Sequence, residues 1–226
     1  MDIQWRHEFK HQINYGDCIA LKQRLSQLCQ RDDHACGGGY LIRSLYFDTW
    51  DDSALIDKQN SVSMREKFRI RCYNNDFSLI KLEKKSKRNA LSNKCSTLLS
   101  ADDVERIIKG DCKFLLDRDD PLSAELYAKM QYTGLAPVVV VDYYREPFTY
   151  APGNVRVTLD RDIRSVAVSD FFNVDPPSLP VIEPGMAVLE VKYDAFLPDL
   201  IRDIVQVNNR KSGAFSKYAA CRAPFF

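Results

Sequence analysis

No apolar run in this chain is long enough to cross a bilayer. The longest, Val138 to Val141, falls far short of the roughly 20 residues a spanning helix needs. The opening residues, MDIQWRHEFK, lack the apolar centre of a secretory signal, so a cytoplasmic location is expected. Disulfide chemistry has no footprint either. The seven cysteines are odd in number, no two form CxxC, and 226 residues can bury a core without covalent staples. They read as free thiols of a reducing compartment. Histidine is scarce, and His7, His11 and His34 do not form HExxH or a comparable zinc spacing. There is no GxxxxGK(S/T) phosphate loop, no Rossmann glycine pattern and no grouping of triad type. Repeats, low-complexity tails and obvious linkers are missing as well. Charge of one sign is also lacking overall. The formal net charge is +1, so any basic site must be local, with acids placed elsewhere.

What is present is ordinary in bulk, at 45% hydrophobic and 28% charged, enough to bury a core. Along the chain, a first strand fits residues 4–13. The run NYGDCIALKQRLSQLCQ carries Ile19, Leu21, Leu25 and Leu28 at roughly helical spacing. Gly37-Gly38-Gly39 breaks the chain before a strand at YLIRSLYFDT. A hairpin fits residues 64–87, and ALSNKCSTLL adds a strand. Ser100 with Asp103 predicts a capped helix through Lys109, closed by Gly110. Asp120-Pro121 opens another helix. APVVVVDYYREPF is a strand in which Pro147 marks an end or a sheet edge. NVRVTLDRDI and MAVLEVKYD alternate cleanly, and a short amphipathic helix covers roughly 199–207. About eight strands emerge, with helices between some of them.

The hairpin MREKFRIRCYNNDFSLIKLEKKSK, residues 64–87, is the unusual stretch. Arg65, Lys67, Arg69 and Arg71 recur at every second position, and Lys81, Glu83 and Lys85 repeat the pattern after a turn-like YNND. Alternate strand residues share a face, so each segment projects a row of charges. Phe68 and Ile70, then Leu79 and Leu82, are expected on the opposite side. Other strands do the same: Arg6, Glu8 and Lys10; Arg145; Arg156, Thr158 and Asp160; Glu190 and Lys192. Together these faces hold eleven bases against four acids. Antiparallel strands commonly leave one polar face in water. Here, however, like charges stand side by side, which costs stability unless an anion compensates. Eight strands can also close into a barrel that holds a ligand inside. Charges lining such an interior need counter-charges. Phosphate suits Arg as a fork and Lys as a point charge, and interleaved carboxylates suit Mg2+ or Mn2+. Nucleic acid is the rival polyanion, but its mark is a basic exterior with aromatic platforms.

In order along the chain stand RHEFK (6–10), SLYFDT (44–49), REKFRIRCYN (65–74), KLEKKSK (81–87), YYREPF (143–148), VRVTLD (155–160), LEVKYD (189–194) and FSKY (215–218). With these the sequence resembles the VTC domain, the polyphosphate polymerase branch of the triphosphate tunnel metalloenzymes, over essentially its whole length. The resemblance implies an α+β fold, one domain over 1–226, with an eight-stranded antiparallel barrel tunnel and flanking helices. It implies transfer of the γ-phosphate of ATP to a growing inorganic polyphosphate chain, with Mn2+ or Mg2+ as cofactor. Residue by residue, Arg69, Arg71, Lys81, Arg145 and Arg156 become phosphate ligands. Lys10 and Lys217 fall at lysine positions of the same role, Lys94 aligns in NKCS, and Lys85 and Lys192 join them from the charged rows. Glu190 matches the metal-binding carboxylate, with Glu8 and Glu83 as second candidates, while Asp160 could equally orient a neighbouring base.

Two departures bear on the reaction. Hydrolases of that superfamily carry ExExK in the first strand, and Arg6 stands here for the first glutamate, which favours transfer over hydrolysis. The family's eukaryotic members add a phosphate-sensing domain and a membrane segment, and neither pattern stands in these residues. The expected partners are therefore ATP and polyphosphate or triphosphate, not nucleic acid. A tripolyphosphatase or nucleoside triphosphatase on the same scaffold, or a non-catalytic polyphosphate sensor, are the rival readings. Tyr46 and Phe47 are read as barrel packing before nucleobase stacking. The stretch DDSALIDKQN is a rim loop or short helix, and Trp5 and Trp50 are packing or rim residues.

Overall fold

The strict apolar-charged alternation is realised as a ring of antiparallel strands. The computed structural model describes residues 5–32, 35, 38–89, 91–207 and 215–222. Its strands are β1 (Arg6–Ile13), β2 (Gln30–Arg31), β3 (Tyr40–Asp48), β4 (Met64–Tyr73), β5 (Asp76–Arg88), β6 (Leu91–Leu99), β7 (Ala136–Tyr150), β8 (Val155–Val166), β9 (Ser178–Pro180) and β10 (Ala187–Tyr193). Eight of them close on one another in the order β7-β3-β4-β5-β6-β1-β10-β8, with β8 returning to β7. The short β2 and β9 pair outside this ring with β7 and β8.

Among the described residues six α-helices flank or enter the ring: α1 (Tyr15–Leu28), α2 (Ser53–Gln59), α3 (Ala101–Ile108), α4 (Pro121–Thr133), α5 (Asp199–Ile204) and α6 (Lys217–Arg222). Their starts follow the expected chemistry. Ser100 and Asp103 form a reciprocal capping box on α3, and Asp120 accepts from the Ser123 amide ahead of Pro121 on α4. Asn74 and Asn75 take positive φ, 52° and 55°, as a two-residue hairpin between β4 and β5 requires. The stretch around 53–59 is the helix α2, not a loop. Pro147 lies inside β7, where β3 has ended opposite Arg145 and β2 begins only at Phe148, so its missing N–H falls at a local edge.

Apolar residues of the outer face make the core. Phe68, Ile70 and Leu82 pack with Val104 and Ile107 of α3 and Leu126 of α4. Leu79 does not join them. It shares the parity of Lys81 and is 44% exposed, and Ile80 is the buried neighbour. On the opposite flank Val157, Leu159, Leu189 and Val191 pack with Leu21 and Leu25 of α1 and Ile201 of α5.

One part of the interior is apolar too. Val139, Val141, Ile163 and Val188 pack with Tyr218 and Cys221 of α6, which sits within the ring. A bulge at Asp162 (φ 52°) shifts the alternation of β8, so Ile163 and Ser165 turn inward and Ser165 Oγ donates to the Cys221 carbonyl at 3.1 Å.

Candidate active site

The rest of the interior is a cavity of about 660 Å³ to which every ring strand except β8's apolar half contributes charge, tyrosine or serine. Among the described residues fourteen Lys and Arg side chains line it against two acids, Glu8 and Glu190. Along β4 it runs from Arg65 to Tyr73, about 26 Å at the usual rise per strand residue.

Register explains how the charges meet. On β1 and β10, Lys10 faces Glu190 and Glu8 faces Lys192. The Lys10 ammonium lies 3.1 Å from both Glu8 and Glu190, Lys85 reaches Glu8 at 2.6 Å, and Lys192 reaches Glu190 at 2.6 Å. Burial pushes the Glu8 and Glu190 carboxyls up, but the surrounding ammonium groups, Lys10 foremost, outweigh it and hold both below the usual carboxylate range. On β7 and β8, Arg145 grips Asp160 with two bonds of 2.6 and 2.7 Å, and Lys217 of α6 reaches the same carboxylate at 2.5 Å. Asp160 is fully buried, so it holds Arg145 and Lys217 in place and does not face the cavity.

Arg69 and Arg71 both face the cavity from β4. Glu83 stands opposite Arg69 on β5, fully buried, with Arg69 at 2.6 Å and Lys94 at 2.9 Å. Tyrosines complete the support. Arg69 donates to the Tyr46 hydroxyl at 3.2 Å, Arg71 to Tyr143 at 3.0 Å, and Arg156 to Tyr40 at 2.8 Å. Burial pushes the Tyr46 phenol up, but Arg69 and Arg71 bring it down to about 8.

Of the residues expected at the site, Lys10, Arg69, Arg71, Lys85, Lys94, Arg145, Arg156, Lys192 and Lys217 line the cavity together with Glu8 and Glu190. Lys81 does not. It lies opposite Arg71 with the right parity, near the hairpin end of β5, outside the lining. Glu83 is also behind the wall, its oxygens taken by Arg69 and Lys94, so it is placed to position bases and not to hold a metal. Arg6 points its guanidinium to Asp194 at 2.7 Å and to the Asn154 carbonyl, so it supplies nothing in the role of the missing glutamate. Five tyrosines, Tyr40, Tyr46, Tyr73, Tyr143 and Tyr218, and the bases Lys58 and Lys87 also line the cavity, which the charged rows alone do not single out. Tyr40 and Tyr46 share the parity of Ser44, which faces Arg71, and that pairing is the signal that register supplies. Phe47, of opposite parity, packs in the outer core as expected.

The donor set bears on a divalent cation. Glu8 and Glu190 are ionised, cavity-facing oxygen donors bridged by one ammonium, which suits a hard ion bound by one or two carboxylates plus substrate phosphates. Among the described residues no three His, Cys, Asp or Glu side chains converge as a complete protein site. The arrangement therefore fits an ion that arrives with a phosphate ligand, and not a closed structural metal centre.

No curated protein matches the chain. Among solved structures, a candidate adenylate cyclase of Bacillus halodurans covers 100% of this chain and 89% of its own at 14% identity and a TM-score of 0.49. The Mimivirus capping enzyme triphosphatase covers 92% of this chain and 91% of its own at 12% identity and a TM-score of 0.40. Both are distant likenesses. The profile of the VTC domain family, by contrast, matches residues 5–226. With the ordered motifs and the ring they build, that match makes this chain a member of the VTC domain family.

Proposed function

We propose that the chain is a polyphosphate polymerase acting as one domain, which transfers the γ-phosphate of ATP to the end of an inorganic polyphosphate chain inside the ring. The observation that carries this reading is the cavity lined by fourteen bases and two acids in a chain of net charge +1. A terminal phosphate oxygen of the acceptor forms a bond to the γ-phosphorus while the bond to the β-bridging oxygen breaks, giving ADP and a chain longer by one phosphate. Such transfer needs positioning and charge neutralisation more than covalent help from the protein.

Arg69, Arg71, Arg145 and Arg156 offer planar forks to phosphate oxygens, each already held by a carboxylate or a tyrosine. Lys10, Lys85, Lys94, Lys192 and Lys217 add point charges around them. A divalent ion, Mn2+ or Mg2+, held by Glu190 and Glu8 together with phosphate oxygens would supply further positive charge against the transferred group. Among the described residues only two acids face the cavity, and Arg6 is spent on Asp194, which favours an acceptor phosphate over an activated water.

Incubation with ATP and Mn2+, following ADP, free phosphate and product length on a gel, tests the reading. A lengthening ladder with ADP and little free phosphate is expected. Stoichiometric free phosphate would mean a hydrolase, and tripolyphosphate binding without turnover would mean a sensor. Glu190→Gln should lower turnover by more than the ~10–100-fold that follows loss of a group which merely orients a metal ligand. Tripolyphosphate binding without metal should survive in that variant. Normal turnover would overturn the assignment of Glu190.

A further inference from the structure

The cavity has two electrostatic zones. In the deeper one, Arg69, Arg145, Arg156, Lys10, Lys192 and Lys217 each have a carboxylate partner. At the end formed by α2 and the starts of β4 and the end of β5, Lys58, Arg65, Lys67 and Lys87 line the same space without an ion pair to any described residue. Arg65 stands directly opposite Lys87, and Lys67 directly opposite Lys85. Arg65 gives one bond to the Val62 carbonyl, and the Lys67 ammonium rests 4.4 Å from the Tyr218 ring centroid.

Like charges paired across strands are destabilising; Lys85 has Glu8 at 2.6 Å to relieve it, whereas Arg65 and Lys87 have no acid partner among the described residues. Burial together with the neighbouring bases lowers the Lys58 and Lys87 ammonium groups. Lys67 is brought down to about 8, by burial first and by Arg65 and Lys58 against the pull of Tyr46 and Asp48. A site that keeps half-buried bases uncompensated is built for an anion that comes from outside.

We propose that these four bases form a second subsite, which takes the continuing part of a long inorganic polyphosphate chain and so makes the protein select a polymer over a three-phosphate anion. The inference rests on the reading of the cavity as a phosphate tunnel. Arg65 stands four residues before Arg69, about 13 Å along the strand. An anion of three phosphates centred on Arg69 and Arg71 ends short of it, and a longer chain does not. The subsite marks the mouth through which the polymer extends.

The test compares tripolyphosphate with long-chain inorganic polyphosphate as ligands, without metal, over a series of salt concentrations. The unmutated protein should bind the long chain more tightly and with the steeper salt dependence. In the variant Lys58→Gln/Arg65→Gln/Lys87→Gln, the long-chain slope of log K against log salt should flatten by about two, as for three lost phosphate contacts. Tripolyphosphate affinity should stay within about twofold, because the altered side chains lie beyond its reach. Equal slopes for the two ligands in the unmutated protein, or equal losses in the variant, would overturn the subsite. Single-stranded DNA competing as well as polyphosphate would overturn it too, since the mouth would then take any polyanion. Failure of tripolyphosphate itself to bind the unmutated protein would sink the tunnel reading and the subsite with it.

Discussion

At the scale of single residues, Glu83 shows how a carboxylate can serve an anion site without touching the anion. It is fully buried and surrounded by Arg69, Lys94 and, at 3.9 Å, Arg71. Burial pushes its carboxyl up, but Arg69, Arg71 and Lys94 prevail and keep it ionised below the normal range. Removing one partner of a buried ion pair leaves uncompensated charge, at a cost of about 3–5 kcal/mol. Lys94 is half exposed and water takes up part of its loss, so the lower end applies. Glu83→Gln should therefore lower unfolding free energy by about 3 kcal/mol in a denaturant titration. Saturating tripolyphosphate should narrow the gap, because the ligand restores counter-charge to Arg69 and Arg71. A variant as stable as its parent would mean that Glu83 does not hold these arginines.

At the scale of elements, α6 closes part of the ring and carries Lys217 to Asp160. Its anchors are few and specific. The Tyr218 hydroxyl donates to the buried Asp48, Arg222 pairs with Asp52 at 2.9 Å, and the Cys221 carbonyl accepts from Ser165. Asp48 also accepts from the amides of Ala54 and Leu55, so one carboxylate ties α2 and α6 together. A hydrogen bond to a charged group contributes about 1.5–3 kcal/mol. Tyr218→Phe should lower the Tm accordingly and speed hydrogen exchange in residues 217–222 ahead of the ring strands. Unchanged exchange there would show that Asp48 does not anchor the helix.

The strands of the ring were legible because period-two alternation survives in a single sequence, and the caps at Ser100 and Asp120 were legible from local chemistry. The place of α6 was not. Six residues carry little periodicity, and its contacts with Asp48 and Ser165 are distant in sequence. The bulge at Asp162 reverses which residues of β8 face inward, which unbroken alternation cannot foretell. Lys81 and Glu83 had the right parity. Position along the strand for one, and capture by Arg69 and Lys94 for the other, decided their place.

At the scale of the molecule, charge is sorted between inside and outside. Beyond the fourteen bases and two acids of the lining, the other described residues carry 16 bases and 27 acids. A bulky polyanion meets an acid-rich remainder of the chain, and a slender one entering the ring meets the bases. This sorting has a pH signature. Burial, ahead of neighbouring charges, brings Lys67 and Lys85 down to about 8, and the arginines bring Tyr46 to about 8. Lys67 faces Tyr46 and Asp48 of β3, Arg65 of β4, Lys85 of β5, Lys58 of α2 and the Tyr218 ring of α6. Lys85 faces Glu8 and Lys10 of β1, Lys94 of β6, and Glu190 and Lys192 of β10.

Stability is a poor readout of these groups. A lysine depressed below its unfolded value of about 10.4 makes the folded state gain stability as pH rises from about 8 toward 10, since the unfolded chain then binds more protons. The buried thiols of Cys72 and Cys221, pushed up to about 12, work in the opposite sense over the same range. Anion affinity has no such cancellation. Each lysine must be charged to attract phosphate, and an ionised Tyr46 repels it, so all three groups act in one direction. Long-chain polyphosphate affinity should therefore be level below about pH 7 and fall as pH rises through about 8, by up to about tenfold per unit for each group in contact. Titration calorimetry from pH 6 to pH 10 at fixed ionic strength, within the range where the protein stays folded, reads this directly. Lys67→Met should make the fall shallower. An affinity unchanged across that range would mean that neither lysine touches the bound chain, and that the ligand lies elsewhere than along the row of bases on β4 and β5.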